Sequence, residues 1–151
     1  MTKVKIGLIK EGKVPEDTRV PMTPVQAKEF MEAHPRVMIV AQSSDIRCYS
    51  DDEYREKGIE IVDTVDDCHV LLGVKEVPLD QLIENKTYLF FSHTIKMQEY
   101  NKELLQKVVD KNIRLIDYEL LTDDDGIRVG AAHVYANPQG RLLPVMACSA
   151  M

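Results

Sequence analysis

An open α/β fold built on a mostly parallel sheet is what this sequence predicts. Two observations carry that expectation. Short apolar, β-rich runs alternate with amphipathic helical patterns, and three of those runs end on ionisable residues. Strand and helix signals alternating at this spacing mark βαβ units with flanking helices. In such sheets, ligands bind in the crevice outside the carboxyl ends of the strands.

Lys3–Ile9 (KVKIGLI) alternates and is β-rich, which predicts the first strand. The charged loop Lys10–Arg19 follows. Thr23-Pro24 is a helix start, with Thr as N-cap and Pro at the first helical position; the helix runs to about Ala33, where His34-Pro35 breaks it. Val37–Val40 reads as a short strand. Ser50 caps a second helix over Asp51–Lys57, and Gly58 stops it. Ile59–Val62 is a short strand and Val70–Val74 a clear one. Leu79–Ile83 reads as a helical turn and Thr87–Phe91 as another strand. Within Gln98–Lys111, Leu104, Leu105, Val108 and Val109 fall at helical spacing, and Asn112 suits the end of that helix. Ile113–Ile116 closes the alternation.

A length of 151 residues suggests one domain, or one domain with a trailing segment. Hydrophobic residues at 44% supply a core, and a net charge of -6 argues against general nucleic-acid or anionic-membrane binding. No apolar run approaches the roughly 18 residues of a spanning helix. The N-terminus MTKVKIGLIKEGK lacks a signal-peptide pattern, so cytoplasm is the expected compartment. Cys48, Cys68 and Cys148 are widely spaced, which predicts neither a disulfide framework nor a zinc site. Cys48 and Cys68 read as buried small residues, and His34 and His69 as histidines without partners. Asp123-Asp124-Asp125-Gly126 lacks the ligand spacing of a calcium loop and reads as a solvated turn.

The chemistry collects at one inferred edge. Val70–Val74 runs into Lys75 and Glu76, Thr87–Phe91 into Ser92 and His93, and Ile113–Ile116 into Asp117 and Glu119. Arg19 lies on the loop after the first strand, and Lys96 shares the S-H-T-I-K loop with His93. Guanidinium and ammonium groups gathered there suit a substrate with carboxylates. Crowded cations lower a lysine pKa and neighbouring carboxylates such as Glu76 and Glu119 raise it, so a lysine and a histidine there can form an acid–base pair. Each residue also has a plainer role open to it: Arg19 can pair with Glu16 or Asp17, and Lys75 or Glu119 can sit at a solvated edge.

At these same residues the chain resembles a known family. The segments I-K-E-G-K-V-P-E-D-T-R-V-P-M-T-P, G-V-K-E-V-P, F-F-S-H-T-I-K and I-D-Y-E-L-L-T-D are similar to the N-terminal domain of the alanine dehydrogenase, transhydrogenase and lysine-forming saccharopine dehydrogenase group. The H-T-x-K and D-Y-E forms lie nearer saccharopine dehydrogenase, and the likeness covers about residues 4–129. The resemblance implies a Rossmann-like fold with Lys75 and His93 as the acid–base pair. It implies that Arg19 and Lys96 bind substrate carboxylates and that Glu76, Glu119 and Lys13 set the local charge. The implied reaction is NAD-linked formation or cleavage of the secondary amine between lysine and 2-oxoglutarate.

Departures from the pattern shape the remaining expectations. The G-x-G-x-x-G turn of a dinucleotide domain does not occur, so the NAD implied by the resemblance is not expected to bind to this chain alone. These readings divide the chain into a substrate and catalytic domain over 1–129 and an atypical, irregular tail over 130–151, with the NAD-binding domain absent. The expected partner is a small amino acid or keto acid, with self-association through exposed apolar surface. An alanine dehydrogenase-type half holding pyruvate, a stand-alone binding module and an inactive remnant stay open beside the saccharopine reading.

Overall fold

The computed structural model describes residues 3–122 and 124–126. Among the described residues there are six strands: β1 (Val4–Leu8), β2 (Val37–Gln42), β3 (Glu60–Val62), β4 (Val70–Leu72), β5 (Thr87–Phe90) and β6 (Arg114–Asp117). Three α-helices join them: α1 (Pro24–Ala33), α2 (Asp51–Glu56) and α3 (Lys102–Asp110). All strand pairs are parallel, in the order β3-β2-β1-β4-β5-β6. The chain builds outward from β1 to β3, then returns to lay β4 on the other side of β1. The switch point therefore falls between β1 and β4, where such sheets open a crevice. The tail expected over 130–151 lies outside the described residues.

Local signals set the helices. Thr23 Oγ1 accepts from the Gln26 N–H at 3.2 Å while Gln26 Oε1 accepts from the Thr23 N–H at 3.0 Å, a capping box with Pro24 at the first helical position. Ser50 and Glu53 repeat the device on α2, and Gly58 takes the left-handed φ of +79° just past its end. Thr23→Ala should cost about 1 kcal/mol of stability, seen as a lower melting temperature with unchanged helix content elsewhere. No loss would mean that tertiary packing alone holds α1.

The period of β2 splits the core between the two sheet faces. Val40 joins Leu71, Phe90, Leu104 and Val108 on one face; Ile39 and Ala41 join Leu8, Ala27 and Tyr54 on the other. Thus α3 covers the first face and α1 with α2 the second. Among the described residues, no helix is long and apolar enough to cross a membrane.

Several local expectations change. Of the helical turn expected over Leu79–Ile83, a turn forms at residues 79–81. The helix expected from Gln98 opens with a 3-10 turn, Glu99–Asn101, before α3 begins at Lys102. Asn101 is the reason: its side chain does not cap α3 but donates to the His93 carbonyl at 2.9 Å. His69 has a partner after all, since its Nδ1 accepts from the Lys5 N–H at 3.0 Å, and His34 packs on the Phe30 ring. Cys68 is a free, buried thiol, whereas Cys48 is exposed and disulfide-bonded.

Candidate active site

The carboxyl edge is built from the ends of β1, β4, β5 and β6. Pairing continues past the formal strand ends: the Gly73 N–H donates to the Leu89 carbonyl and the Phe91 N–H to the Val74 carbonyl, both at 3.0 Å. That extension brings the segment carrying Lys75 alongside the one carrying Ser92 and His93. Lys75 is half-buried, and its ammonium makes no ion pair among the described residues.

His93 sits in a tightly specified loop. Its φ of +55° is left-handed, an uncommon conformation for a residue with a side chain. Ser92, fully buried, donates to Asp117 Oδ2 at 2.5 Å and lies 2.9 Å from Thr94 Oγ1. Asp117 Oδ1 in turn accepts the Glu119 N–H at 2.9 Å. One buried carboxylate at the end of β6 therefore ties together the loops that carry His93 and Glu119.

The resulting cluster is His93, Lys96 and Glu119. His93 Nδ1 lies 2.9 Å from Glu119 Oε2 and 3.1 Å from Lys96 Nζ, while Lys96 Nζ lies 3.1 Å from Glu119 Oε1. His93 Nδ1 stands within ion-pair distance of Oε2, and that buried oxygen has no other partner among the described residues. Burial alone would raise the Glu119 carboxyl, but His93 and Lys96 outweigh it and hold the carboxyl below its ordinary range. The arrangement suits proton transfer: a protonated Nδ1 faces a carboxylate, and a neutral one faces an ammonium donor.

Arg19 is committed to Asp17 through a fork, with Nε at 2.8 Å from Oδ1 and Nη2 at 2.5 Å from Oδ2. The Arg19 hydrogen bonds hold the Asp17 carboxyl below its usual range, and the Lys75 charge pulls the same way. Arg19 and Lys75 thus share one neighbourhood. Glu76 does not pair with Lys75; it accepts from Lys13 Nζ at 2.5 Å. Consecutive side chains outside a helix leave the chain in different directions, which separates Glu76 from its sequence neighbour.

One group escaped the sequence reading. Glu11 is only 7% exposed, and its two oxygens accept from the N–H groups of Val74 at 2.6 Å and Lys75 at 2.9 Å. Burial pushes its carboxyl up to about 7, against those two donors and Arg19 and with help from Asp17. Burial, then the nearby Glu11 carboxyl, push the Tyr118 hydroxyl upward, and Tyr118 packs on Phe91 at 5.1 Å. The strand-end position of Glu11 was the available sign, but a lone glutamate in K-E-G looks like surface.

The edge also bears on a dinucleotide. A pyrophosphate needs a glycine-rich turn leading straight into a helix N-terminus. Here residues 9–23 separate β1 from α1, so no glycine-rich turn leads from the strand straight into the helix N-terminus. The described residues do not fit NAD.

Comparison with known proteins decides the kinship. The model of the alanine dehydrogenase/PNT N-terminal domain matches residues 7–138, extending beyond the limit near 129 read from the sequence. The chain belongs to this family. Among relatives of this domain, the mitochondrial alpha-aminoadipic semialdehyde synthase of Bos taurus is 38% identical over 138 residues, 91% of this chain and 15% of that protein. The NAD(+)-linked, L-lysine-forming saccharopine dehydrogenase of Emericella nidulans is 32% identical over 148 residues, 93% of this chain and 38% of that protein. The domain therefore spans well under half the length of these relatives. A solved L-alanine dehydrogenase superposes with a TM-score of 0.66 at 18% identity, covering 83% of this chain and 35% of that one. The transhydrogenase of Sinorhizobium meliloti gives 0.64 at 14% identity, covering 78% and 36%. These two bear out the open α/β, Rossmann-like architecture.

Proposed function

We propose that this domain is the substrate-binding half of an NAD-linked, saccharopine dehydrogenase-like oxidoreductase, and that it does not turn over alone. The observation that carries the reading is the placement of Lys75 and the Arg19–Asp17 pair at the switch point, and of the His93–Lys96–Glu119 cluster after the two strands next along, all on the carboxyl edge of one parallel sheet. Two cationic groups, Arg19 and Lys96, are assigned to the carboxylates of 2-oxoglutarate or of its adduct with lysine. Lys75 and His93 are assigned the proton transfers that accompany imine formation and hydrolysis. Glu119 holds His93 and Lys96 in register, and Lys13 with Glu76 closes the charge balance on the far side. NAD belongs to the reaction at the level of the family, and its binding is assigned to polypeptide other than the described residues.

Titration calorimetry on this chain tests the reading. Binding of 2-oxoglutarate, with pyruvate at least about tenfold weaker, is the expected result, since a second carboxylate adds a charge-assisted contact. Preference for pyruvate would transfer the assignment to an alanine dehydrogenase-type half, which the superposition on L-alanine dehydrogenase makes the second reading. NADH should leave the melting temperature unmoved. A cofactor at a hundred times its dissociation constant would otherwise stabilise the fold by about 2.7 kcal/mol.

A further inference from the structure

We propose that Glu11 is the positioning residue of Lys75, clamping from beneath the turn out of which the lysine side chain leaves. The inference rests on the functional reading above for what Lys75 does, and on geometry alone for how it is held. Both Glu11 oxygens are used, and both donors are backbone N–H groups of consecutive residues, Val74 at 2.6 Å and Lys75 at 2.9 Å. A two-point grip on successive peptide groups removes the rotation that a single bond would leave free. Gly73 makes the approach possible. A Cβ there would lie 2.8 Å from Ile9 Cδ1 and 3.4 Å from Glu11 Oε1, so the bare backbone at 73 lets the turn pack closely against both side chains.

The grip crosses the sheet at the place that matters. Glu11 follows β1 and Lys75 follows β4, and these are the two strands between which the strand order reverses. The clamp closes the switch point from one side, as Asp117 braces the His93 loop from the other. Groups facing Glu11 are Asp17 and Arg19 from its own loop, Lys75 across the crevice, and Tyr118 from the segment after β6. A carboxylate accepts from two N–H groups at once; a protonated carboxyl turns one oxygen into a donor and opens half of the clamp. Since burial pushes Glu11 up to about 7, the clamp is fully engaged above neutrality and half open below it.

Fold stability moves the opposite way, because burial of the charge outweighs the two bonds. Glu11 holds its proton more tightly in the folded chain, so its contribution is fully present below the ordinary carboxylate range and is lost as pH rises through about 7.

Backbone amide resonances followed against pH in this chain test the proposal without any ligand. The Val74 and Lys75 amides should titrate together with a midpoint near 7. In Glu11→Gln that titration should vanish, and at least one of the two amides should exchange with solvent about tenfold faster, since a carboxamide offers one acceptor to two donors. The same variant should weaken 2-oxoglutarate binding about tenfold above pH 8. Amides of residues 74 and 75 that exchange in Glu11→Gln at the wild-type rate would overturn the clamp. So would unchanged 2-oxoglutarate affinity in Glu11→Gln alongside a lowered melting temperature, which would reduce Glu11 to a structural role. If the wild-type chain binds no 2-oxoglutarate, the functional reading falls, and amide exchange in Glu11→Gln still decides the clamp.

Discussion

With residues 7–138 of this chain grafted in place of the matching region of the Emericella nidulans saccharopine dehydrogenase, Lys75→Met should lower turnover by about 10²–10⁴-fold, the range of a general acid or base. Methionine preserves the length and most of the volume of the lysine stem and removes only the ammonium. Because that ammonium makes no ion pair among the described residues, its removal breaks no bridge. The turn itself is held through its backbone by Glu11, so the fold should lose less than about 0.5 kcal/mol. Large kinetic loss beside negligible loss of stability separates a chemical role from a structural one. The pH–rate profile should also lose one limb. A variant that keeps turnover within severalfold of the unsubstituted graft, with the profile unchanged, would remove Lys75 from the reaction. His93→Gln is a less clean probe, because it also strips Glu119 of its histidine neighbour and leaves Lys96 as the cation beside it.

What the sequence made legible has a common physical basis. Helix starts such as Thr23-Pro24 with Gln26, and Ser50 with Glu53, are contained within four residues, so the chain displays them directly. The strands were legible because apolar runs of the right length sat between those helices, and the shared edge because Lys75, His93 and Glu119 each follow a strand. Pairings across the sheet were not legible. Glu11 reaches the amides of residues 74 and 75, more than sixty positions away, and nothing local distinguishes it from a solvated glutamate. The partner of Glu76 is Lys13, on another loop, rather than the adjacent Lys75. Asn101 was readable as a helix residue, yet its side chain serves the His93 carbonyl, which delays the start of α3. Sequence spacing reported where ionisable groups leave the sheet; burial and long-range hydrogen bonds decide how they are held.

Asp117 shows the energetic weight of that second layer. Asp117→Ala should destabilise the fold by about 3 kcal/mol, because two hydrogen bonds to a charged acceptor disappear and each contributes roughly 1.5–3 kcal/mol. The Ser92 hydroxyl, fully buried, would retain only Thr94 as a side-chain partner, and the Glu119 N–H would lose its acceptor. For a domain of this size the melting temperature should fall by roughly 10 °C. Asp117→Asn keeps one acceptor oxygen and should lose about half as much. The functional consequence follows from the backbone: His93 holds its left-handed φ of +55° through the bonds around Ser92 and through Asn101, and loosening Ser92 frees that residue to relax. Below its lowered melting temperature, Asp117→Ala should therefore still fold and yet bind 2-oxoglutarate more weakly than Asp117→Asn. Equal stability in wild type and Asp117→Ala would mean that water replaces the carboxylate at no cost. The short Ser92–Asp117 bond would then hold neither the loop nor the histidine it carries.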